Sequence, residues 1–403
     1  MDLGHGLGHL TYSTLVHPGD TWAEIWNSLT TYVPKVKARV APNESFGVSL
    51  RLSASSAHTL TNDAGERKRL KAFLDENDMY LYTVNAFPYG AFKGKIVKED
   101  VYEPDWRTDA RAVYTMEVAN ILAEVTNEGI DPTIQSPPLA FKPNIQNDKH
   151  VQELTHQVLR VVAHLISLHK STGRKVRLCL EPEPYCYLET TEEAIEYFKN
   201  HLYSASAIDS IVAQAGISRA SAEEALHEHL GMVYDICHQA VEFEDIGGSL
   251  QALADAGIPV FKLQEAAAIR TPEVTQEKVD ALRRFADTVY LTQTVEQRDG
   301  KLTRYLNLED AFEAWEKDPG PREWRTHFHV PVFLDDLGEF KTTRFAIEDA
   351  LEFHKKNKLS PQLEIETYTW DVLPDHLKTG DIIDYVVMEI EWVREQLLGK
   401  RDT

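Results

Sequence analysis

Residues 176–184 read VRLCLEPEP. Val176, Leu178 and Leu180 alternate with Arg177, Cys179 and Glu181, the period of a strand whose successive side chains face opposite ways. Pro182 and Pro184 then stop the strand, because proline has no N–H to give to a ladder. A carboxylate, Glu181, is thereby placed at a strand's C-terminal end, on the face opposite to the aliphatic side chains. Glu183 lies one step past the end. Outward from this stretch the same unit recurs, a short apolar run followed by a longer helical pattern. Strands are predicted at 7–13, 46–53, 79–86, 176–181, 231–236, 258–264, 325–333 and 362–368. Helices are predicted at positions such as 64–76, 109–127, 149–171, 191–202, 221–230, 248–256, 273–287, 309–317, 345–356 and 381–398. Strands alternating with helices imply a parallel sheet covered by helices, and eight strands are the number that closes. The expected fold class is α/β, a (β/α)8 TIM barrel, with residues 1–403 as a single domain. Two insertions are expected: a helical one over 203–230 after strand four, and a β-hairpin over 288–306 before strand seven. The hairpin signal is Asp299-Gly300 between alternating runs. An open doubly wound sheet is the competitor. The Gly4-x-Gly6-x-Gly8 run precedes a strand instead of following one, so it is no dinucleotide fingerprint.

Composition narrows the function. The 403 residues carry 42 Lys and Arg against 64 Asp and Glu, a net charge of −22. A surface this acidic repels phosphate backbones and anionic lipid, so neither nucleic acid nor membrane surface is an expected partner. No run of 18 apolar residues exists, so no membrane insertion is expected. The N-terminus lacks the basic and apolar regions of a signal peptide. Three cysteines, Cys179, Cys186 and Cys237, make neither a disulfide framework nor a CxxC pattern, which fits a reducing, cytoplasmic location. A small molecule is the expected partner. The acidic helices 191–202 and 345–356 leave a homo-oligomer open.

In a barrel the functional face lies at the C-terminal strand ends. There the fifth predicted strand ends in Asp235 with His238 three residues on. Lys262 and Gln264 share a face of the sixth, His327 and His329 a face of the seventh, and Glu364 and Glu366 a face of the eighth. Each has a plainer reading alone: a core Glu181 paired with Arg177, Lys262 or Arg51, a surface turn, a packed histidine. Together they put several acids at one mouth, where burial and like-charge repulsion are costly without a cation. The candidate metal ligands are Glu181, Asp235, His238, His327, His329 and Glu366. This oxygen and imidazole set, without thiolate, suits Mn²⁺, Zn²⁺, Mg²⁺ or Fe²⁺ and does not choose among them. Candidate substrate contacts are His9, Asn85, Lys262, Gln264 and His238. Lys93, Thr133, Gln135 and Lys142 are read as loop residues covering the mouth. Cys179 is read as packed.

These residues carry a resemblance. The order Glu181, Asp235-x-x-His238, a histidine on strand seven and Glu366 resembles the xylose-isomerase-like TIM barrel superfamily. That group includes sugar phosphate isomerases and epimerases, inosose dehydratases and metal-dependent apurinic endonucleases. The whole chain more closely resembles the metabolite traffic protein EboE family. The segments that carry it include LTYSTLVHPGDTW (10–22), VNAFPYGAFKG (84–94), LCLEPEPYC (178–186), YDICHQAVEFED (234–245), HFHVPVF (327–333) and ETYTWDVLP (366–374). The resemblance implies a cytoplasmic protein tied to secondary-metabolite or cyclitol biosynthesis or export. It also implies Glu181, Asp235 and Glu366 as metal ligands, with Glu181 and Glu366 as catalytic acids exchanging a substrate proton. Gln264 stands where the epimerases have a ligand histidine. Either His327 or His329 supplies that nitrogen, or the amide binds weakly, or the metal is lost. The expected activity is that of a metal-dependent isomerase or epimerase of a sugar, sugar phosphate or cyclitol. A non-catalytic metabolite carrier, a metal-dependent hydrolase and an endonuclease are the rivals, the last opposed by the charge.

Overall fold

The computed structural model of the chain describes residues 1–92, 98–286, 290–373, 378 and 380–399. The chain lays down β1 (His9–Tyr12), β2 (Phe46–Arg51), β3 (Met79–Asn85), β4 (Thr133–Ser136), β5 (Arg177–Leu180), β6 (Leu230–Asp235) and β7 (Val260–Glu265) as successive neighbours. It then leaves this sheet for β8 (Ala267–Thr271), β9 (Thr294–Arg298), β10 (Lys301–Tyr305), β11 (Glu323–Val330) and β12 (Lys341–Thr342). It returns as β13 (Gln362–Ile365), which pairs in parallel with both β7 and β1. The eight strands β1 to β7 and β13 are one parallel sheet. Its ends meet at a parallel bridge between Ser13 and Ser49, and Thr11 donates its hydroxyl to the Gly47 carbonyl at 2.7 Å. A Cβ at Gly47 would run into the Tyr82 ring, so this close approach needs glycine. The architecture is a (β/α)8 barrel.

The five strands β8 to β12 form a second, antiparallel sheet in the order β10-β9-β11-β8-β12. It grows from the barrel rim, since β8 follows β7 after a single residue. Asp299 and Gly300, at φ 51° and 75°, make the predicted hairpin between β9 and β10.

Two expectations about strand membership are corrected. Residues 133–136, read as loop, are the fourth barrel strand. Residues 325–333, read as barrel strand seven, belong largely to β11, which runs antiparallel to β8 and β9. The count of eight survives with one member exchanged. The helical insertion, with helices Ala205–Ala215 and Arg219–His229, therefore follows the fifth barrel strand. The hairpin lies between the seventh and eighth.

The covering helices follow from local sequence. Asp148–Thr172 starts at the Asn147 cap, buries Leu154, Val158, Val161, Val162 and Leu165, and stops at Gly173 with φ 73°. Thr190 and Glu193 form a capping box for Thr191–Tyr197. Among the described residues no helix is long and apolar enough to cross a membrane.

Candidate functional site

A cavity sits over the C-terminal ends of the barrel strands. Its floor is made of carboxylates. Glu181 follows β5, Asp235 ends β6 and Glu366 follows β13, and one oxygen of each lies within 4.8 Å of the others. All three are at most 4% exposed. Two amides hold the outer pair. Gln135 on β4 donates to Glu181 at 2.6 Å, and Asn85 at the end of β3 donates to Glu366 at 2.9 Å.

Asp235 does two things with its two oxygens. It caps helix Ile236–Val241, where Oδ1 accepts the His238 N–H at 3.2 Å. Its Oδ2 is buried without a hydrogen-bond partner. The same cap sets the place of His238, one helical turn on, whose Nε2 lies 3.8 Å from that oxygen.

The three imidazoles are oriented alike. His238 Nδ1 meets the Pro182 carbonyl at 2.9 Å, so the Glu-Pro-Glu-Pro stretch supplies the acceptor. His329 Nδ1 meets the Glu366 carbonyl. His327 Nδ1 meets Gln293 Oε1 at 3.0 Å. The Gln293 amide is itself oriented, because its NH₂ donates to Glu183 at 3.2 Å, to Pro184 O at 3.3 Å and to Tyr102 at 3.1 Å. Each Nδ1 therefore carries the proton, and each Nε2 carries a lone pair. His327 Nε2 and His329 Nε2 lie 3.2 Å apart. Two facing lone pairs repel. Two nitrogens each bound roughly 2.1 Å from one tetrahedral ion, however, sit roughly 3.4 Å apart. Ring N–H groups held by carbonyl oxygens are the usual surroundings of metal-ligating histidines.

The electrostatics agree. Burial first, and then Glu366, Asp235 and Glu183, push Glu181 well above the carboxylate range. Burial and then Glu364 and Asp235 push Glu366 up likewise. Burial raises Asp235 to about 6 and lowers His238 and His329 to about 4. Among the described residues no lysine or arginine forms an ion pair with these three acids. Arg51 pairs with Asp20 at 2.7 Å, Arg177 with Asp131 at 2.7 Å, and Lys262 with Glu364 at 2.7 Å. Buried acids without an ion-pair partner among the described residues, an orphaned carboxylate oxygen and convergent imidazole lone pairs make a donor set that could hold a divalent ion.

A pH signature follows for the metal-free protein. Burial raises Glu183 and Glu389 to about 8. As pH rises from about 6.5 to about 8, the folded chain keeps protons that the unfolded chain has released, so stability falls. The histidines act oppositely only below about 6.5, where unfolded imidazoles take up protons that the buried ones refuse. The buried Met1 amine, lowered to about 5, opposes the trend by one group. Thermal melts in chelator should give a lower midpoint at pH 8 than at 6.5, with a smaller drop in Glu183→Gln. A rise over that window would contradict the assignment.

The predicted residues divide into those at the cavity and those elsewhere. Glu181, Glu366, His238, His327 and Asn85 line it, with Asp235 and His329 against them. The two strand-seven histidines reach it from β11 of the antiparallel sheet, where the pairing with β8 shifts register between Thr326 and Val330. His9 does not reach the cavity. It opens β1 at the barrel's other end and bonds Tyr80 OH at 2.6 Å. Lys262 and Gln264 lie beneath the floor. Lys262 is fully buried between Glu364 and Gln135, and Gln264 donates to Gln135 at 3.1 Å and Glu364 at 3.0 Å. Their place as substrate contacts is thus corrected to one of support. Thr133 and Gln135 are strand residues instead of loop residues, Gln135 lining the cavity and Thr133 lying away from it, and Lys142 is taken by Glu189 and Glu193 at the flank. Lys93 lies outside the described residues. Sequence reasoning passed over Tyr102, which sits in a stretch without periodicity, and Gln293, which was read only as part of the hairpin insertion. Glu183 was visible as the second acid after β5. Cys179 is buried, its thiol pushed up to about 12, and all three cysteines are free.

No family model matches the chain, and no curated protein matches it. The EboE resemblance therefore gains no support. Solved structures share the general fold at low identity. The IOLI protein with a bound zinc atom is 12% identical, with a TM-score of 0.48 over 98% of this chain and 100% of that one. A D-tagatose 3-epimerase-like protein is 12% identical, with a TM-score of 0.48 over 96% and 97%. A xylose isomerase-like TIM barrel protein from Mycobacterium smegmatis, in complex with magnesium, is 10% identical, with a TM-score of 0.46 over 96% and 98%.

Proposed function

We propose that the chain is a metal-dependent isomerase or epimerase of a small polyhydroxylated ketone, a sugar or a cyclitol. The observation that carries this reading is the meeting of Glu181, Asp235 and Glu366 with three imidazole Nε2 atoms at the base of one cavity. Asp235, His238 and His329, with His327 beside them, would hold the ion. A divalent ion bound there supplies Lewis acidity toward the oxygens of an adjacent carbonyl and hydroxyl.

The chain's own groups handle the proton. Glu181 and Glu366 are buried, mutually repelling and raised, so one of the pair holds a proton while the other is ionised. The ionised member removes the proton from the carbon beside the carbonyl, and the protonated member returns one. Gln135 and Asn85 each fix one oxygen of these acids by donating to it.

The test is solvent exchange. Metal-loaded protein in D₂O with ketoses and inososes is expected to place deuterium beside the carbonyl of at least one of them. Glu181→Gln and Glu366→Gln should each slow this by roughly 100-fold or more. Absence of exchange with every ketose and inosose tried would remove the reading.

A further inference from the structure

We propose that His169, Glu228 and His229 form a second divalent-metal site, of the Zn²⁺ class, at the end of the barrel opposite the cavity. This goes beyond the isomerase reading and does not depend on it.

The three residues meet where two helices end. His169 lies in the last turn of helix Asp148–Thr172, and Glu228 and His229 close helix Arg219–His229. One ligand atom of each lies within 4.8 Å of the other two. The rings of His169 and His229 stand edge to face, with centroids 5.5 Å apart. His229 is 1% exposed, and its Nδ1 meets the Val176 carbonyl at 2.7 Å. The proton therefore sits on Nδ1 and the lone pair on Nε2, as in a metal-ligating histidine backed by a carbonyl. Burial lowers the His229 pKa, which keeps that lone pair available at pH 7. Among the described residues no hydrogen bond engages His229 Nε2 or either ring nitrogen of His169.

Charge favours a cation there. Both helix C-termini carry partial negative charge, and Glu228 adds a full one. Lys175 takes one oxygen of that carboxylate, donating to Oε1 at 2.6 Å, and Oε2 makes no hydrogen bond among the described residues. His169 and Glu228 are half-buried, so water can complete a tetrahedral shell begun by two imidazoles and a carboxylate. Such donors favour Zn²⁺ over Mg²⁺ or Ca²⁺, which prefer oxygen shells. His229 immediately precedes β6, and Asp235 ends it, so the two sites stand roughly 20 Å apart along one strand. An ion held here pins the helical insertion to helix Asp148–Thr172 at the foot of the barrel.

Equilibrium dialysis and thermal melts with Zn²⁺ test this on the full chain, in an Asp235→Asn background so that the cavity does not contribute. That background is expected to bind one Zn²⁺, to melt higher with it, and not to respond to Mg²⁺. His169→Gln and Glu228→Gln should each weaken Zn²⁺ binding at least about tenfold. His156→Gln, at an exposed histidine of the same helix, should leave it unchanged. Melts in chelator report whether each variant is folded. No Zn²⁺ bound by Asp235→Asn, binding that survives both His169→Gln and Glu228→Gln, or an equal loss in His156→Gln would overturn the proposal. A parent protein that binds a single Zn²⁺, kept in Asp235→Asn and lost in His169→Gln, would instead strike the cavity's metal and leave this site standing.

Discussion

Asp235→Asn is expected to weaken divalent-metal binding on the order of 100-fold or more while raising the melting temperature of the metal-free protein. The two effects have opposite signs because one atom causes both. Asp235 Oδ2 is buried with no partner, among the oxygens of Glu181 and Glu366. Holding that charge in the fold, where Asp235 is raised from 3.8 to about 6, costs roughly 3 kcal/mol at neutral pH. Asparagine keeps an oxygen for the His238 N–H cap and discards the charge. The metal-free variant should thus melt a few degrees higher, and its response to added Mn²⁺ should nearly vanish. Calorimetric titration and thermal melts read the two arms. A variant that binds metal like the parent would show that Asp235 is a structural cap alone.

The second large effect is on stability. Lys262→Met is expected to lower the free energy of unfolding by about 3–5 kcal/mol. Lys262 and Glu364 Oε1 are paired at 2.7 Å with side-chain exposures of 0% and 1%, and Glu364 Oε2 is buried with no hydrogen-bond partner. Removing the ammonium strands a carboxylate inside the barrel. It also removes one of the two donors to the carbonyl of Gln135, whose amide holds Glu181, leaving only Gln264 on that carbonyl. Lys262→Met combined with Glu364→Gln should recover most of the loss, because the stranded charge is gone. Urea denaturation of the parent, the single and the double variant measures this. A neutral single variant would mean that water reaches Glu364.

Much of the fold was legible because most barrel strands announce themselves by alternation and by what stops them. Residues 176–181 and 231–236 are clear cases, ended by Pro182 and by the Asp235 cap. The segment 133–136 was not legible. It has one apolar residue, Ile134, while Thr133 and Gln135 turn inward to bond Gln362 at 2.5 Å and Glu181 at 2.6 Å. A four-residue strand with a polar inner face looks like loop. The segment 325–333 failed in the opposite way. Its alternation is genuine, but alternation says nothing of parallel or antiparallel pairing. The Asp299-Gly300 hairpin next to it was the better guide to an antiparallel sheet.

Candidate ligands were legible for the same reason as the strands. Glu181, Asp235 and Glu366 sit at strand ends, and His238 follows by helical spacing. The support beneath and around them was not. Lys262 and Gln264 share a strand face with the mouth residues, and only the depth of the barrel tells a supporting group from a contact. His9 begins its strand instead of ending it, so strand polarity alone removes it from the mouth. Gln293, which orients His327, lies just ahead of β9 in an excursion whose path no local pattern predicts.

The account depends on imidazole nitrogens and carboxylate oxygens sharing one ion over the barrel. Anomalous diffraction from crystals grown with Zn²⁺ or Mn²⁺ measures that directly. The expected result is a strong peak bounded by Asp235 Oδ2, His238 Nε2 and His329 Nε2, absent in Asp235→Asn. A peak only at surface residues, or waters and mutual hydrogen bonds in its place at saturating metal, would contradict it.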